Sequence, residues 1–293
     1  MRYDISLTID YSYDHAPDHS RSVLHLLPLN IPQRQEVIAS LLTIDPKPNE
    51  RRDGVDFFGN TTTWVSYHRM IDELVLTLRA QLYRTAPPNL MDLSQGLDHL
   101  RLELAQTQSI GPQSPHHFLG KSVRVGPMRA TTEFARDQIT PTMSALEIVL
   151  AVGKALHDKM EFDSTATDVL TTPKDAFANG RGVCQDFAHI QIACLRGLGI
   201  PAGYVSGFLR TLPPPGEERL EGADAMHAWI RAWCGVELGW VEYDPTNDVI
   251  VGEDHIVVAY GRDYSDVSPV RGTMRSSGGQ STAHSVDVVP LAG

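Results

Sequence analysis

Three side chains in the second half of the chain have the types and order that thiol chemistry needs. Cys184 follows the Gly-rich turn Asn179-Gly180-Arg181-Gly182 and opens an apolar-periodic stretch, which puts it in the first turn of a helix. Unpaired N–H groups and the dipole at a helix N-terminus stabilise an anion. For a thiol this means more thiolate, the form that attacks carbonyls. The glycines before it let the backbone turn sharply and let a substrate approach. Such a nucleophile needs a base, and the base needs a group that orients it. His227 opens a strand at Met226-His227-Ala228-Trp229, and Asp244 ends the next at Trp240-Val241-Glu242-Tyr243-Asp244. If the two strands pair, imidazole and carboxylate meet at one sheet edge, and a helix packed there delivers the thiol. Taken singly, each residue also has a structural reading. Cys184 is a buried helix thiol, His227 a core histidine, and Asp244 a turn-former before Pro245.

Other polar residues carry less. Cys194 falls on the apolar stripe Phe187, Ile190, Cys194 and Leu198, and Cys234 reads as structural too. Three cysteines without a C-x-x-C pair argue against a disulfide framework or a zinc ribbon. Free thiols point to a reducing compartment, most simply the cytoplasm. Asp186 and His189 lack a third metal ligand at a sensible spacing and read as helix-surface residues, Asp186 with a supporting hydrogen-bond role open to it. His116-His117 lies in a Pro-rich stretch and reads as solvated. Trp229 shares the sheet face of His227, as a cleft wall or as core. Asn247 and Tyr264 are further cleft candidates.

The elements that must position these residues follow from patterning. A chain of 293 residues suggests about two domains. Tyr3, Ile5, Leu7, Ile9 and Tyr11 alternate with polar residues, the period of a half-buried strand. Further strands are expected at Ser22–Leu29, Val37–Ile44, Thr61–Tyr67 and Leu74–Leu82, with turns at Pro46/Pro48 and Gly59-Asn60. This is an antiparallel β-sandwich over residues 1–86. Residues 87–140 hold one helix along Leu90, Leu93, Leu97, Leu100 and Leu104 after the Pro87-Pro88 break. From 105 to 140 a long connection follows, a possible cover for the functional face. Residues 141–293 form an α+β core. Ser144-Ala145-Leu146-Glu147 is a capping box for a helix reaching about Met160. Thr172-Pro173 starts a short helix. A helix then runs from about Val183 to Leu198, ended by Gly199 and Pro201. Strands are expected at Ala202–Leu209, His227–Cys234, Gly239–Tyr243 and Ile256–Tyr260, then a mobile Gly272–Gln280 tail and a last strand at His284–Leu291.

Charge and hydropathy exclude some classes. With 25 basic and 36 acidic residues the net charge is −11, which speaks against nucleic acid or an anionic membrane surface as partner. No apolar stretch is long enough for a membrane helix, and the opening MRYDISLTID is not a signal peptide.

Several segments resemble a known family. Gly180-Arg181-Gly182-Val183-Cys184-Gln185-Asp186-Phe187-Ala188-His189, with Leu195-Arg196-Gly197-Leu198-Gly199-Ile200-Pro201-Ala202, resembles the nucleophile segment of bacterial transglutaminase-like proteins. His227-Ala228-Trp229 and Tyr243-Asp244-Pro245-Thr246-Asn247 resemble that family's His and Asp segments, and Gly261–Pro269 a stretch of its bacterial branch. Residues 1–85, notably Asp56-Phe57-Phe58-Gly59-Asn60, resemble its N-terminal β domain. The resemblance implies a papain-like core with Cys184 as nucleophile, His227 as base and later acid, and Asp244 as orienter. It implies acyl transfer from a peptide or other amide, as hydrolysis or as transamidation, with no cofactor or metal. An inactive binding module is the reading from another class. Animal transglutaminases use an upstream Trp as oxyanion donor, and no Trp lies between Trp64 and Trp229. Papain-type enzymes use a Gln six residues before the nucleophile, where this chain has Ala178. No acidic calcium loop is present, so calcium activation is not expected.

Overall fold

Alternation of apolar and polar residues builds the first strands, as expected. A computed structural model describes residues 1–85, 91–166, 171–211, 224–275 and 278–291. In β1 (Arg2–Tyr13) the side chains of Tyr3, Ile5, Leu7 and Ile9 are buried and their neighbours are not. The strands β2 (Ser20–Leu24), β3 (Gln35–Asp45), β4 (Glu50–Val55), β5 (Thr61–Tyr67) and β6 (Glu73–Arg84) follow. The one without a counterpart in the sequence reading is β4. It pairs only with β5, and all six of its residues are exposed. An edge strand with no buried face has no apolar period to read.

The middle of the chain differs from expectation. Helix α1 spans Leu97–Gln106, so Leu93 lies outside it, and Pro87-Pro88 and Leu90 lie outside the described residues. Asp92 and Ser94 hold the preceding segment in a non-helical turn, with Ser94 N and Oγ both donating to Asp92 Oδ1. Such short polar side chains compete with the helix for backbone groups. The stretch expected as a bare connection contains a short 3-10 turn, Pro115–Phe118, and helix α2 (Arg129–Arg136). With two buried residues, Thr131 and Ala135, α2 gives too short a stripe to detect.

The core begins at α3 (Ala145–Lys159), whose capping box is formed: Glu147 N donates to Ser144 Oγ and Ser144 N to Glu147 Oε2. Then come β7 (Glu161–Phe162), α4 (Pro173–Asn179), β8 (Arg181–Gly182), α5 (Cys184–Leu198), β9 (Ala202–Leu209), β10 (Ala225–Trp233), β11 (Trp240–Asp244), β12 (Val249–Ile250), β13 (His255–Gly261) and α6 (Tyr264–Val267). The strands β14 (Val270–Met274) and β15 (Gln280–Leu291) close the chain. The core sheet is antiparallel in the order β12-β11-β10-β9-β13. Helix α5 packs on it through Phe187, Ile190, Cys194 and Leu198, all buried.

Both N-terminal sheets are completed from the other end of the chain. Their orders are β15-β1-β6-β3 and β14-β2-β5-β4. Much of the Gly/Ser-rich stretch expected to be mobile is therefore strand, because the open edges of β1 and β2 recruit it. Two side-chain amides fasten the N-terminal region to β13. Asn60 Nδ2 donates to Tyr260 O and Asn60 Oδ1 accepts from Tyr260 N, both at 2.7 Å. Gln35 donates to Val257 O and accepts from Val257 N. Each amide takes the place of a ladder partner.

One glycine decides how the sheet face above it is filled. Gly207 pairs with His227 across β9 and β10. A Cβ at Gly207 would stand 2.2 Å from Ile256 O and 2.3 Å from the Trp229 ring. The Gly207→Ala variant therefore has to displace backbone or indole. It is expected to lose about 1–3 kcal/mol of stability, the usual cost of overpacking, read as a lowered Tm and a blue- or red-shifted Trp emission. An unchanged Tm would show that the Trp229 ring does not lie over this position.

Candidate active site

The residues singled out by type converge at one end of the core sheet. Cys184 is the first residue of α5 and is partly exposed. The turn before it is set by Gly180, which ends α4 with φ 67°, and by Gly182. A Cβ at Gly182 would meet Asp186 Oδ2 at 2.7 Å. Asp186 is buried and its Oδ2 accepts from Val183 N at 2.9 Å. Asp186 is thus not a helix-surface residue: it closes the first turn of α5 and fixes where the thiol stands. His189 is likewise buried. Its Nε2 accepts from Tyr264 N at 3.1 Å, and burial lowers it to about 3, so it is a neutral acceptor.

The strands bring the other two members together. Ile230 pairs with Tyr243 and Arg231 with Glu242, which sets the start of β10 beside the end of β11. His227 Nε2 donates to Asp244 Oδ2 at 2.7 Å, and both residues are buried. Cys184 lies near enough to His227 to raise it. With Nε2 committed to Asp244, Nδ1 is the nitrogen left for a second partner. Burial alone would push His227 down. The hydrogen bond to Asp244, then the nearby Cys184, outweigh it and hold the imidazole up to about 10. Burial would likewise raise Asp244, but hydrogen bonds from His227 and His255 bring its carboxyl well below the usual range.

His255 is the residue that sequence reasoning missed. It opens β13, while His227 is the third residue of β10, and its Nε2 donates to the same Asp244 Oδ2 at 3.1 Å. A second histidine at the start of a core strand was the available signal. Asn247 donates to that oxygen as well, Nδ2 at 2.6 Å, and lies 3.5 Å from His227 Nε2. The backbone N–H groups of Thr246 and Asn247 bond Oδ1 at 2.9 and 3.3 Å. Trp229 is fully buried: its Nε1 donates to Glu242 Oε2, and its ring stands 5.2 Å from that of His255. It supports the triad from behind and does not line an open cleft. Tyr264 is half-buried, 6.2 Å from the ring of Tyr204. Cys194 and Cys234 are buried thiols pushed up to about 12 by desolvation. His116 and His117 stand within bonding distance of the carbonyls of Thr107 and Ile110.

Among the described residues, ligating atoms of His227, Asp244 and His255 lie within 4.8 Å of one another. Two imidazoles and a carboxylate would suit a zinc-like cation. The N–O separations of 2.7 and 3.1 Å, however, are those of hydrogen bonds. Among the described residues no helix is long and apolar enough to cross a membrane.

The shift of His227 has a sign that can be checked. Its native value of about 10 lies above the ordinary value of 6.5. Its contribution to stability is complete below about 6.5 and is lost as pH rises through about 10. The Tm advantage of the wild type over His227→Asn is expected to be constant from about pH 5 to 6.5 and to shrink steadily toward pH 10. An advantage that grows over this range would contradict a histidine held as the cation.

Comparison with known proteins extends beyond the site. Residues 132–245 match the transglutaminase-like superfamily core, and residues 3–82 match the bacterial transglutaminase-like N-terminal region. An uncharacterized protein of Mycobacterium tuberculosis is 33% identical over 300 residues, covering 100% of this chain and 94% of the relative. One from Mycobacterium leprae is 40% identical over 147 residues, covering 49% of this chain and 50% of the relative. The crystal structure of a candidate cysteine protease from Cytophaga hutchinsonii superposes with a TM-score of 0.76 at 21% identity, covering 100% of this chain and 91% of that one. That likeness establishes the same fold. By these matches the chain belongs to the transglutaminase-like superfamily, in the form that carries the bacterial N-terminal region.

Proposed function

We propose that the protein is a cysteine-dependent hydrolase of amide bonds, an amidase or peptidase, acting through Cys184, His227 and Asp244. The observation that carries this reading is His227, hydrogen-bonded to the Asp244 carboxylate and raised by it and by the nearby Cys184 thiol. An imidazolium beside the sulfur favours the thiolate. The thiolate attacks the amide carbonyl and forms a tetrahedral intermediate. Helix geometry leaves the N–H groups of Cys184 and Gln185 without an intrahelical partner, so they are donors for the oxyanion. His227 then gives its proton to the leaving amine, and the C–N bond breaks to leave a thioester. Water attacks the thioester, His227 takes the water's proton, and the acid departs as the thiol is restored. Asp244 keeps the imidazole in the orientation both steps use.

Architecture belongs to the same reading. The two N-terminal sheets share one continuous apolar core and are read as a sandwich, and the order of nucleophile helix, His strand and Asp strand is read as papain-like. Hydrolysis is preferred to transamidation because it needs no site for a second substrate. The compartment in keeping with three free cysteines is the cytoplasm.

The test is a pool of quenched-fluorescent peptides assayed with and without a labelled primary amine. Amide cleavage is expected in the wild type and is expected to fall about 10³-fold or more in Cys184→Ala, with Asp244→Asn losing about 10²-fold or more. Label joined to the acyl product would replace hydrolysis by transamidation. Cleavage that survives Cys184→Ala would overturn the thiol mechanism.

A further inference from the structure

The core sheet carries a second cluster of charge, away from the thiol. Arg231 and Glu242 pair across β10 and β11. Over them lies a cavity of about 410 Å³, lined by Phe58, Trp240 and Tyr260 and by the charged side chains of Arg34, Arg231 and Glu242. Its rim includes the exposed residues Asn30, Pro32 and Gly59, so it opens to solvent.

Arg231 is only 2% exposed. Its guanidinium carbon stands 4.6, 4.5 and 4.4 Å from the ring centroids of Phe118, Trp240 and Tyr260. One nitrogen is satisfied: Nη1 donates to Gln113 Oε1 at 2.7 Å. Nε and Nη2 are buried and have no hydrogen-bond partner among the described residues. These two form one edge of the guanidinium, with parallel N–H groups spaced for the two oxygens of a carboxylate. Leaving such donors buried and unpaired is costly.

Local charge is also unbalanced. Glu242 is buried and already saturated, by Arg34 Nη1 at 3.1 Å and by Trp229 Nε1 and Tyr260 Oη, both at 2.9 Å. Arg84 is 1% exposed, interacts electrostatically with Glu242, and has no hydrogen-bond partner among the described residues for any of its three guanidinium nitrogens. Three guanidiniums therefore surround one carboxylate.

We infer that this cavity binds a carboxylate-bearing ligand, attracted by Arg34, Arg231 and Arg84, which outnumber the one carboxylate of Glu242. Its apolar part lies against Phe58, Trp240 and Tyr260, and its carboxylate takes the unpaired edge of Arg231 once the side chains that cover it shift. A phosphate fits less well. The Gly59 N–H at the rim is taken by Asp56 O, which leaves no evident nest of backbone donors there for further oxygens. The site is separate from the triad. Trp229 stands between them, bonded to Glu242 on one side and against His255 on the other. The inference therefore does not depend on the proposed activity.

Thermal shift and calorimetry test it at fixed ionic strength. Sodium succinate is compared with neutral succinamide, and a tetrapeptide with a free C-terminal carboxylate is compared with its C-terminal amide. The peptides are run on Cys184→Ala so that turnover cannot intervene. A saturable Tm rise with either acid, absent with its neutral partner, supports the site. Response to succinate assigns it to a free acid, and response to the peptide alone assigns it to a peptide terminus. Arg231→Lys keeps the charge but loses the fork and is expected to weaken binding at least tenfold. Should that buried variant fail to fold, Arg34→Gln at the cavity mouth is expected to weaken binding to the same degree. No saturable response to either acid, a response unchanged in these variants, or inorganic phosphate acting as strongly as the acids would overturn the inference.

Discussion

One buried carboxylate organises the site. Asp244 has no exposed surface and takes donors from His227, His255, Asn247 and the backbone of Thr246. A carboxylate withdrawn from water is costly unless it is both hydrogen-bonded and charge-compensated. Asp244 meets both conditions only when β10, β11 and β13 are assembled in register and the turn after β11 is closed. The placement of His227 and His255 around Asp244 is thus a consequence of satisfying this one group. His227, held as the cation by Asp244, then lies near the thiol at the start of α5.

That arrangement depends on residues far from it in sequence. β13 supplies His255 and is fastened to the N-terminal region through Asn60 and Gln35. The N-terminal sheets in turn take β14 and β15 from the end of the chain. A chain entering β1 and leaving by β15 returns to its own first strand, and the core sheet lies between. The two segments along β1 that the sequence separates most widely are joined over twelve register pairs. Damage to the N-terminal strands is therefore felt at Asp244 through β13.

Much of this was legible in the residues. The alternation in β1, the capping box at Ser144 and the glycine end of α5 are local rules, and local rules are read directly. Cys184 and Asp244 could be picked out because each stands where an element starts or stops, and His227 because it lies near the start of β10. Other features depend on tertiary partners. The strand β4 lacks a buried face, α2 is too short to show a period, and the helix expected from Leu90 gives way to the turn at Asp92 and Ser94. Asp186 and His189 read as surface residues because their helical spacing does not reveal that the Val183 N–H and α6 cover them. His255 was missed because its partner Asp244 is assigned only once the strand order is known. The same holds for Arg231 and Glu242, charged residues in apolar strands whose pairing is a matter of register.

The central proposal is that His227 activates Cys184 as the nucleophile. The direct measurement is the iodoacetamide alkylation rate of each cysteine against pH, mapped by peptide mass, in wild type and in His227→Ala. The account predicts that Cys184 reacts far faster than the buried Cys194 and Cys234 already near neutral pH, and slows when His227 is removed. A Cys184 that reacts like the other two, with no dependence on His227, would contradict it.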